Sequence, residues 1–350
     1  MNPYQSLDER YFWSPAVAQK NMFDIERLWE PKFRIGPRAP VATFGSCFAQ
    51  HIGRALKGRG FNWMDAEPAP TGLPADVAKT FGFGVFSART GNIYTASLLA
   101  QWVGWALGDS APPEEVWEKD GRFYDPFRPV IEPGGFASAQ EMLAGREMAI
   151  EAFRKCITEA RVFVFTLGLT ESWFNREEGH EYPMCPGTAA GEFDADRHEF
   201  RNQDYVFIRR KLVEAIRRMR QANPRLSVLL TVSPVPLTAT MSGNHVLLAT
   251  TESKAVLRAV AGSVSRALPF VDYFPSYEII SSTPYRGSFF EPNQRGVNPA
   301  GVAHVMDMFF ACLMAKYPLP VATGKKPGKA KGDVACEEAL LAAFGTKAGG

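Results

Sequence analysis

The sequence predicts an α/β protein with a mostly parallel central sheet and helices on both faces, and two observations carry that prediction. Short apolar, partly β-branched runs recur at 40–44, 161–167, 226–232 and 270–273, the pattern of strands buried on both faces. Between them lie segments with apolar residues at helical spacing. Strands and helices alternating in this way build a parallel sheet covered by helices.

Taken in order, residues 1–39 are rich in proline and aromatics (Tyr11, Phe12, Trp13, Trp29) with little periodicity. They read as a wrapping arm with one short helix near 16–28. After the first strand, Gly45-Ser46-Cys47 turns the chain into a helix with Phe48, Ile52, Ala55 and Leu56 at helical spacing, closed by Gly58 and Gly60. Residues 65–92 are loop-rich, with Pro68, Pro70, Gly72 and Pro74 close together. A helix is expected over 95–106 and another over 141–160, which feeds the strand 161–167; Gly168 ends that strand. Residues 172–200 read as an irregular insertion. Tyr205, Ile208, Leu212, Ile216 and Met219 mark a long amphipathic helix that Asn223-Pro224 stops. The strand 226–232 ends at Ser233-Pro234-Val235-Pro236, a helix covers 253–266, and a last short strand follows. The final helix starts at Asn298-Pro299, a capping residue followed by proline in the first turn. The domain is therefore expected over 40–317. A flexible Gly/Lys/Ala-rich tail is expected over 318–350, with a short helix near 337–344.

The chain has 350 residues, 46% hydrophobic and 22% charged, which excludes general disorder. No apolar run approaches the length of a spanning helix, and no leader pattern opens the chain, so a cytoplasmic protein is expected. The net charge of +2 is carried by residues 321–350, where five lysines face three acids. A neutral body lacks the basic footprint of a nucleic-acid-binding fold. Five widely spaced cysteines do not make a disulfide framework and are read as reduced.

In a sheet of this kind ligands bind where strands end and helices begin. Three such places carry chemistry-bearing residues: Gly45-Ser46-Cys47, Gly168-Leu169-Thr170-Glu171 and Ser233-Pro234. Cys47 stands at the start of a helix, where free backbone N–H groups and the helix dipole favour a thiolate and would hold an oxyanion. The plain alternative is a small residue filling a crowded turn. Ser46 is the neighbouring candidate nucleophile, or an N-cap.

The chain has five histidines: His51, His180, His198, His245 and His304. His51 lies one turn after Cys47, and His304 sits off the apolar face of the last helix. His245, on a loop at the presumed active edge, is the chosen base. His180, Cys185 and His198 match no strong zinc spacing, although a metal-assisted hydrolase is a third reading. Glu171 is a candidate to orient the base or the acceptor, Asn92 to donate to an oxyanion, and Lys254 to hold an anionic group. No dinucleotide fingerprint or phosphate loop is present.

Phe44-Gly45-Ser46-Cys47-Phe48-Ala49 resembles the motif that gives the GSCFA domain family its name. The resemblance extends through Gly91-Asn92-Ile93-Tyr94-Thr95, Leu167 to Trp173, Thr231 to Leu237, His245-Val246-Leu247 with Ser253-Lys254, and Asn298 to Val302. That family is distantly similar to the SGNH (GDSL-type) hydrolases and acyltransferases. The similarity implies a three-layer α/β/α sandwich, flavodoxin-like in kind, with irregular insertions and acyl-ester chemistry. It places Cys47, rather than Ser46, at the nucleophile position, with Gly168-Leu169-Thr170-Glu171 as the third block and Thr170 in place of an Asn. Together with the residues read above, the oxyanion or substrate-binding candidates are Gly45, Asn92, Gly168, Thr170, Ser233 and Lys254. Arg295-Gly296-Val297-Asn298 stands where an Asp-x-x-His is expected, so the base moves elsewhere or the chemistry is absent. The expectation is an acyltransferase or esterase working through a Cys acyl-enzyme on O-acyl groups of a carbohydrate or other small polar substrate. No bound cofactor is expected; acyl-CoA is a candidate donor substrate. The rival expectation is a binding or scaffold protein that keeps the fold without the chemistry.

Overall fold

Four strands, β1 (Val41–Gly45), β4 (Val162–Leu167), β8 (Ser227–Val232) and β9 (Val271–Tyr273), pair side by side in that order, all parallel. They form the centre of a computed structural model that describes residues 2–318 and 337–345. On the free side of β1 the chain adds one further rung. Val41 bridges Trp63 in parallel, with the Val41 N–H on the Asn62 carbonyl and the Met64 N–H on that of Val41, both at 2.9 Å. Counting that rung as a vestigial second strand gives the order 2-1-3-4-5, the doubly wound arrangement whose direction of winding reverses between β1 and β4.

Both faces of this sheet are covered. Side chains alternate along each strand, so Phe163, Phe165 and Leu167 of β4 enter one core and Val162 and Val164 enter the other. The first core is closed by α3 (Ala96–Leu107), α4 (Ala139–Glu159), α5 (Tyr205–Ala222) and α6 (Val246–Ala267). The second is closed by α1 (Ala49–Gly58), α7 (Ser276–Ser281) and α8 (Pro299–Lys316). The protein is thus a three-layer α/β/α fold, as the sequence implies. Among the described residues no helix is long and apolar enough to cross a membrane.

Several elements differ from expectation, beginning with a short helix, α2 (Ala75–Thr80), in the stretch read as loop-rich. The arm does pack on the second core through Ile25, Trp29 and Ile35, and Trp29 Nε1 donates to Asp272 at 3.0 Å. It contains no α-helix over 16–28, only short turns at Ser14–Ala18 and Met22–Asp24. Asn21 breaks the run: it is extended, and its side chain caps the Phe23 N–H. Residues 172–200 are irregular only in part. They supply β5 (Glu171–Asn175), β6 (Glu181–Tyr182) and β7 (His198–Asn202), an antiparallel sheet of order β6-β5-β7. A hairpin of β2 (Trp117–Lys119) and β3 (Arg122–Tyr124) adds to this region. Helix α6 begins at Val246, a full two turns before the expected start. Of the expected tail, Glu337–Leu341 form a 3-10 turn that runs into a last short helix, α9 (Ala342–Gly345).

Candidate functional site

The winding reversal between β1 and β4 gathers most of the sequence-predicted residues. Gly45 closes β1 opposite Thr166 with φ +123°, and a Cβ on it would lie 2.3 Å from the Thr166 carbonyl oxygen. Only glycine fits that backbone without strain. The turn is then bonded on both sides: the Ser46 N–H donates to Thr166 O at 3.0 Å, and the Ile93 N–H donates to Gly45 O at 3.0 Å. Residues 91–95 therefore lie against the turn that carries Ser46 and Cys47. Tyr94 continues the seam, its carbonyl accepting from Gly168 N–H at 2.8 Å and Leu169 N–H at 3.2 Å. From α6, the fully buried Lys254 reaches the same loop and donates Nζ to Gly168 O at 2.7 Å.

Around this seam three buried polar atoms have no hydrogen-bond partner among the described residues: Ser46 Oγ, Asn92 Oδ1 and Thr166 Oγ1. Buried polar groups are nearly always paired, so such a concentration at one strand end asks for an explanation. Cys47 adjoins them, 5% exposed, just before α1. No side chain caps that helix; instead the Ala49 and Gln50 N–H groups bond back to Ser46 and Cys47 carbonyls at 2.9 and 3.2 Å.

Other candidates are placed differently. The Gly168 N–H is bonded to Tyr94, so it is not available to an oxyanion. Thr170 Oγ1 donates to Asn202 Oδ1 at 2.7 Å, which ties the loop to β7. Ser233 is buried beside the end of β4, its N–H on Leu167 O, and its hydroxyl accepts from the Val235 N–H. Glu171 accepts from Thr240 Oγ1 and from the Met241 N–H at 3.3 Å. Burial raises its pKa, against those hydrogen bonds, and the carboxylates of Glu338 and Glu252 add to the rise.

His245 is exposed, and its Nδ1 accepts the Leu247 N–H at 3.2 Å as the N-cap of α6. A neutral imidazole has one lone pair to offer. With Nδ1 so engaged, Nε2 carries the proton and is a donor, the wrong state for a base. His51, on α1, stacks edge-on against Phe48, and burial, with help from Arg54 and Lys79, lowers its pKa to about 4, keeping it neutral. His304 lies among the rings of Phe23, Tyr285 and Phe289.

The proposed metal trio is not a ligand set. His180 Nε2 bonds to Glu115 and to Tyr182 Oη, both at 2.9 Å, and His198 Nδ1 accepts the Asp194 N–H at 3.0 Å. Burial raises the Cys185 thiol to about 11. Among the described residues no group of three metal-ligating side chains is arranged around an ion site. Cys156, Cys185 and Cys312 are thiols; Cys336 lies outside the described residues.

Sequence reasoning missed two participants from the tail. Glu337 and Glu338 are both buried. Glu338 pairs with Arg295 at 2.9 Å and accepts the Thr238 N–H at 2.6 Å, and its own N–H donates to Tyr94 Oη at 3.3 Å. A Cβ on Gly91 would lie 2.9 Å from Glu337 Oε1. The available signal was an acidic pair inside a lysine-rich tail.

The model of the GSCFA family matches residues 40–309. The chain belongs to the GSCFA family. No curated protein matches. A solved crystal structure is similar over 45% of this chain and 65% of its own length, at 18% identity and a TM-score of 0.26, too slight a likeness to carry an argument.

Proposed function

We propose that the strand-end site performs acyl transfer, as an acyltransferase or esterase, through a thioester on Cys47. The observation that supports this reading is the juxtaposition of Cys47 at the start of α1 with orphaned polar atoms of Ser46, Asn92 and Thr166. Such atoms suit a polar ligand, and the helix start suits an anion. In the scheme, the Cys47 thiolate attacks the acyl carbonyl carbon and a C–S bond forms. The bond from that carbon to the leaving group breaks, C–O in an ester or C–S in acyl-CoA, and the departing oxygen or sulfur takes a proton. Water or an acceptor hydroxyl then attacks the thioester, loses its proton and returns the thiolate. The Asn92 side-chain amide would donate to the oxyanion, the Ala49 and Gln50 amides being already bonded within the turn. A thiolate at a helix start needs less help from a base than a hydroxyl would, which accommodates a His245 engaged as a cap.

The substrate class, O-acyl groups on a carbohydrate or small polar molecule with acyl-CoA as donor, rests on the resemblance to SGNH-type enzymes alone. A reducing compartment such as the cytoplasm suits the scheme, since Cys47 must stay a thiol. One observation favours the rival reading of a binding protein: the strand ends hold the chain's own Glu338, and no histidine stands ready as a base.

Intact-protein mass after incubation with acetyl-CoA or an activated acetyl ester separates the two. An acetyl adduct on wild type and Ser46→Ala, absent from Cys47→Ala, is expected. No adduct on any of the three, with Cys47 also inert to a thiol reagent near neutral pH, overturns acyl transfer and leaves the binding protein.

A further inference from the structure

The acidic segment docked at the strand ends occupies a site with its own logic. Arg295 lies in the loop before α8, and two of its nitrogens are committed in different directions. Nε donates to the Pro236 carbonyl at 3.1 Å, and Nη2 donates to Glu338 Oε2 at 2.9 Å. The first bond fixes the guanidinium plane, so the second is presented in a set direction. The other carboxylate oxygen of Glu338 takes the Thr238 N–H at 2.6 Å, so each oxygen has one donor from a different loop. Tyr94 Oη then accepts the Glu338 N–H at 3.3 Å, reading the backbone beside the acid. Tyr94 is also the residue whose carbonyl holds the Gly168 loop. The receptor groups thus belong to three separate loops of the body, around 94, 238 and 295, and their ligand is a side chain more than forty residues away from the nearest of them.

We propose that Arg295, the Thr238 N–H and the Tyr94 hydroxyl form a carboxylate-recognition subsite at the strand ends, filled here by Glu338 and used in turn by a carboxylate-bearing ligand that displaces the C-terminal segment. The inference deepens the acyl-transfer reading by naming a chemical feature of its substrate or acceptor, and it rests on that reading only for the word substrate. Two further observations fit. A side chain at Gly91 would meet Glu337, so the absence of one there leaves room for this segment. The Glu338 carboxylate also adds to the rise in the Glu171 pKa, a like-charge repulsion that keeps the docked state from being as favourable as its hydrogen bonds alone suggest. Self-occupation of this kind acts as competition: a tethered segment presents itself at an effective concentration of order millimolar, so an external carboxylate must outbid it.

The test uses the full chain in a Cys47→Ala background, so that its outcome is independent of thioester chemistry. The probe is a fluorescein-labelled peptide spanning residues 334–345, read by anisotropy. Wild-type tail should suppress binding. With Glu338→Gln in the chain the peptide should bind about ten-fold more tightly, as expected if a probe of roughly 100 μM affinity no longer competes with a millimolar tether. Adding Arg295→Gln should abolish that gain, and a peptide carrying the same Glu338→Gln change should fail on every protein. Circular dichroism melts confirm that each variant is folded, and Arg295→Lys, which keeps the charge but loses the planar fork, should recover part of the binding if the first substitution unfolds. Equal peptide affinity for proteins with and without Glu338→Gln overturns self-occupation. Undiminished binding after Arg295→Gln or Arg295→Lys overturns the subsite.

Discussion

Two buried polar regions of this molecule differ in one respect. Beneath the hairpin, Asp125 is fully enclosed between Arg128 and Arg146, at 2.7 and 2.9 Å. One of its carboxylate oxygens takes the Phe127 N–H and Arg146 Nε, and the other takes Arg128 Nε. Arg146 goes on to donate to the Pro113 and Glu115 carbonyls. At the β1 and β4 strand ends, by contrast, Ser46, Asn92 and Thr166 bury polar atoms that no described residue satisfies. A carboxylate that takes charged donors on both oxygens is a clamp between segments, and the atom left unpaired there, Arg128 Nη2, is a spare donor of the clamp itself. Unmatched polar atoms where the sheet's winding reverses are what a ligand-binding cleft would contain. Burial and polarity alone do not separate structure from function; the accounting of partners does.

The largest expected effect lies in the clamp. Removing one member of a buried ion network leaves the others charged and unpaired, which costs about 3–5 kcal/mol. Asp125→Ala should therefore shift the urea midpoint sharply, whereas Ser46→Ala, which removes a hydroxyl that bonds nothing described, should cost under about 1 kcal/mol. Comparable losses for the two variants would erase the distinction. The clamp should also show in acid. Burial by itself raises the Asp125 pKa, but Arg128 and Arg146 outweigh it and hold the carboxyl below the usual range. A lowered native pKa gives stability that is fully present above the unfolded value of about 4 and drains away as pH falls towards the native one. Wild type should accordingly lose stability more steeply below about pH 4 than Asp125→Asn does, followed by denaturant melts across that range.

Next in size is Gly45→Ala. Its φ of +123° and the 2.3 Å approach of a Cβ to Thr166 O leave no room for relaxation short of parting β1 from β4. The expected cost is about 3 kcal/mol, with loss of acetyl labelling at Cys47 because the turn itself moves. A variant that is destabilised yet labels at the wild-type rate would show that the turn geometry is structural and the chemistry, if any, is elsewhere.

What could be read from the sequence follows from how local each signal is. Strand β4 is six buried residues in a row, all apolar but Thr166, and α8 opens with a cap whose bond is made within three residues, Asn298 Oδ1 to the Gly301 N–H at 2.8 Å. Both are legible because the cause lies next to the effect. The Asp120-Gly121 pair was an equally local hairpin signal, and its two residues adopt φ 52° and 70°. The antiparallel sheet was hidden because β5 and β7 mix polar with apolar residues and pair across a long connection, Glu171 against Asn202. In the site, the strand-end rule picked out Ser46, Cys47 and Gly168 without knowing any contact. It could not find Glu338, whose partners at 94, 238 and 295 are assembled only by the fold. It also could not foresee that the Gly168 amide and the Thr170 hydroxyl would be bonded internally.

His245 gives the smallest and most discriminating effect. Its loop position suggested a base, but its Nδ1 caps α6 and the ring is exposed. A cap and a base predict different losses from the same change. His245→Ala should lower stability by no more than about 1 kcal/mol, the usual worth of a helix cap, and His245→Asn, which can cap but cannot take a proton at neutral pH, should restore it. Neither should alter the rate of acetyl labelling at Cys47 or its pH profile. A general base contributes about 100-fold or more to rate, so a drop of that size in both variants would return His245 to the reaction and require the α6 cap to open when substrate binds.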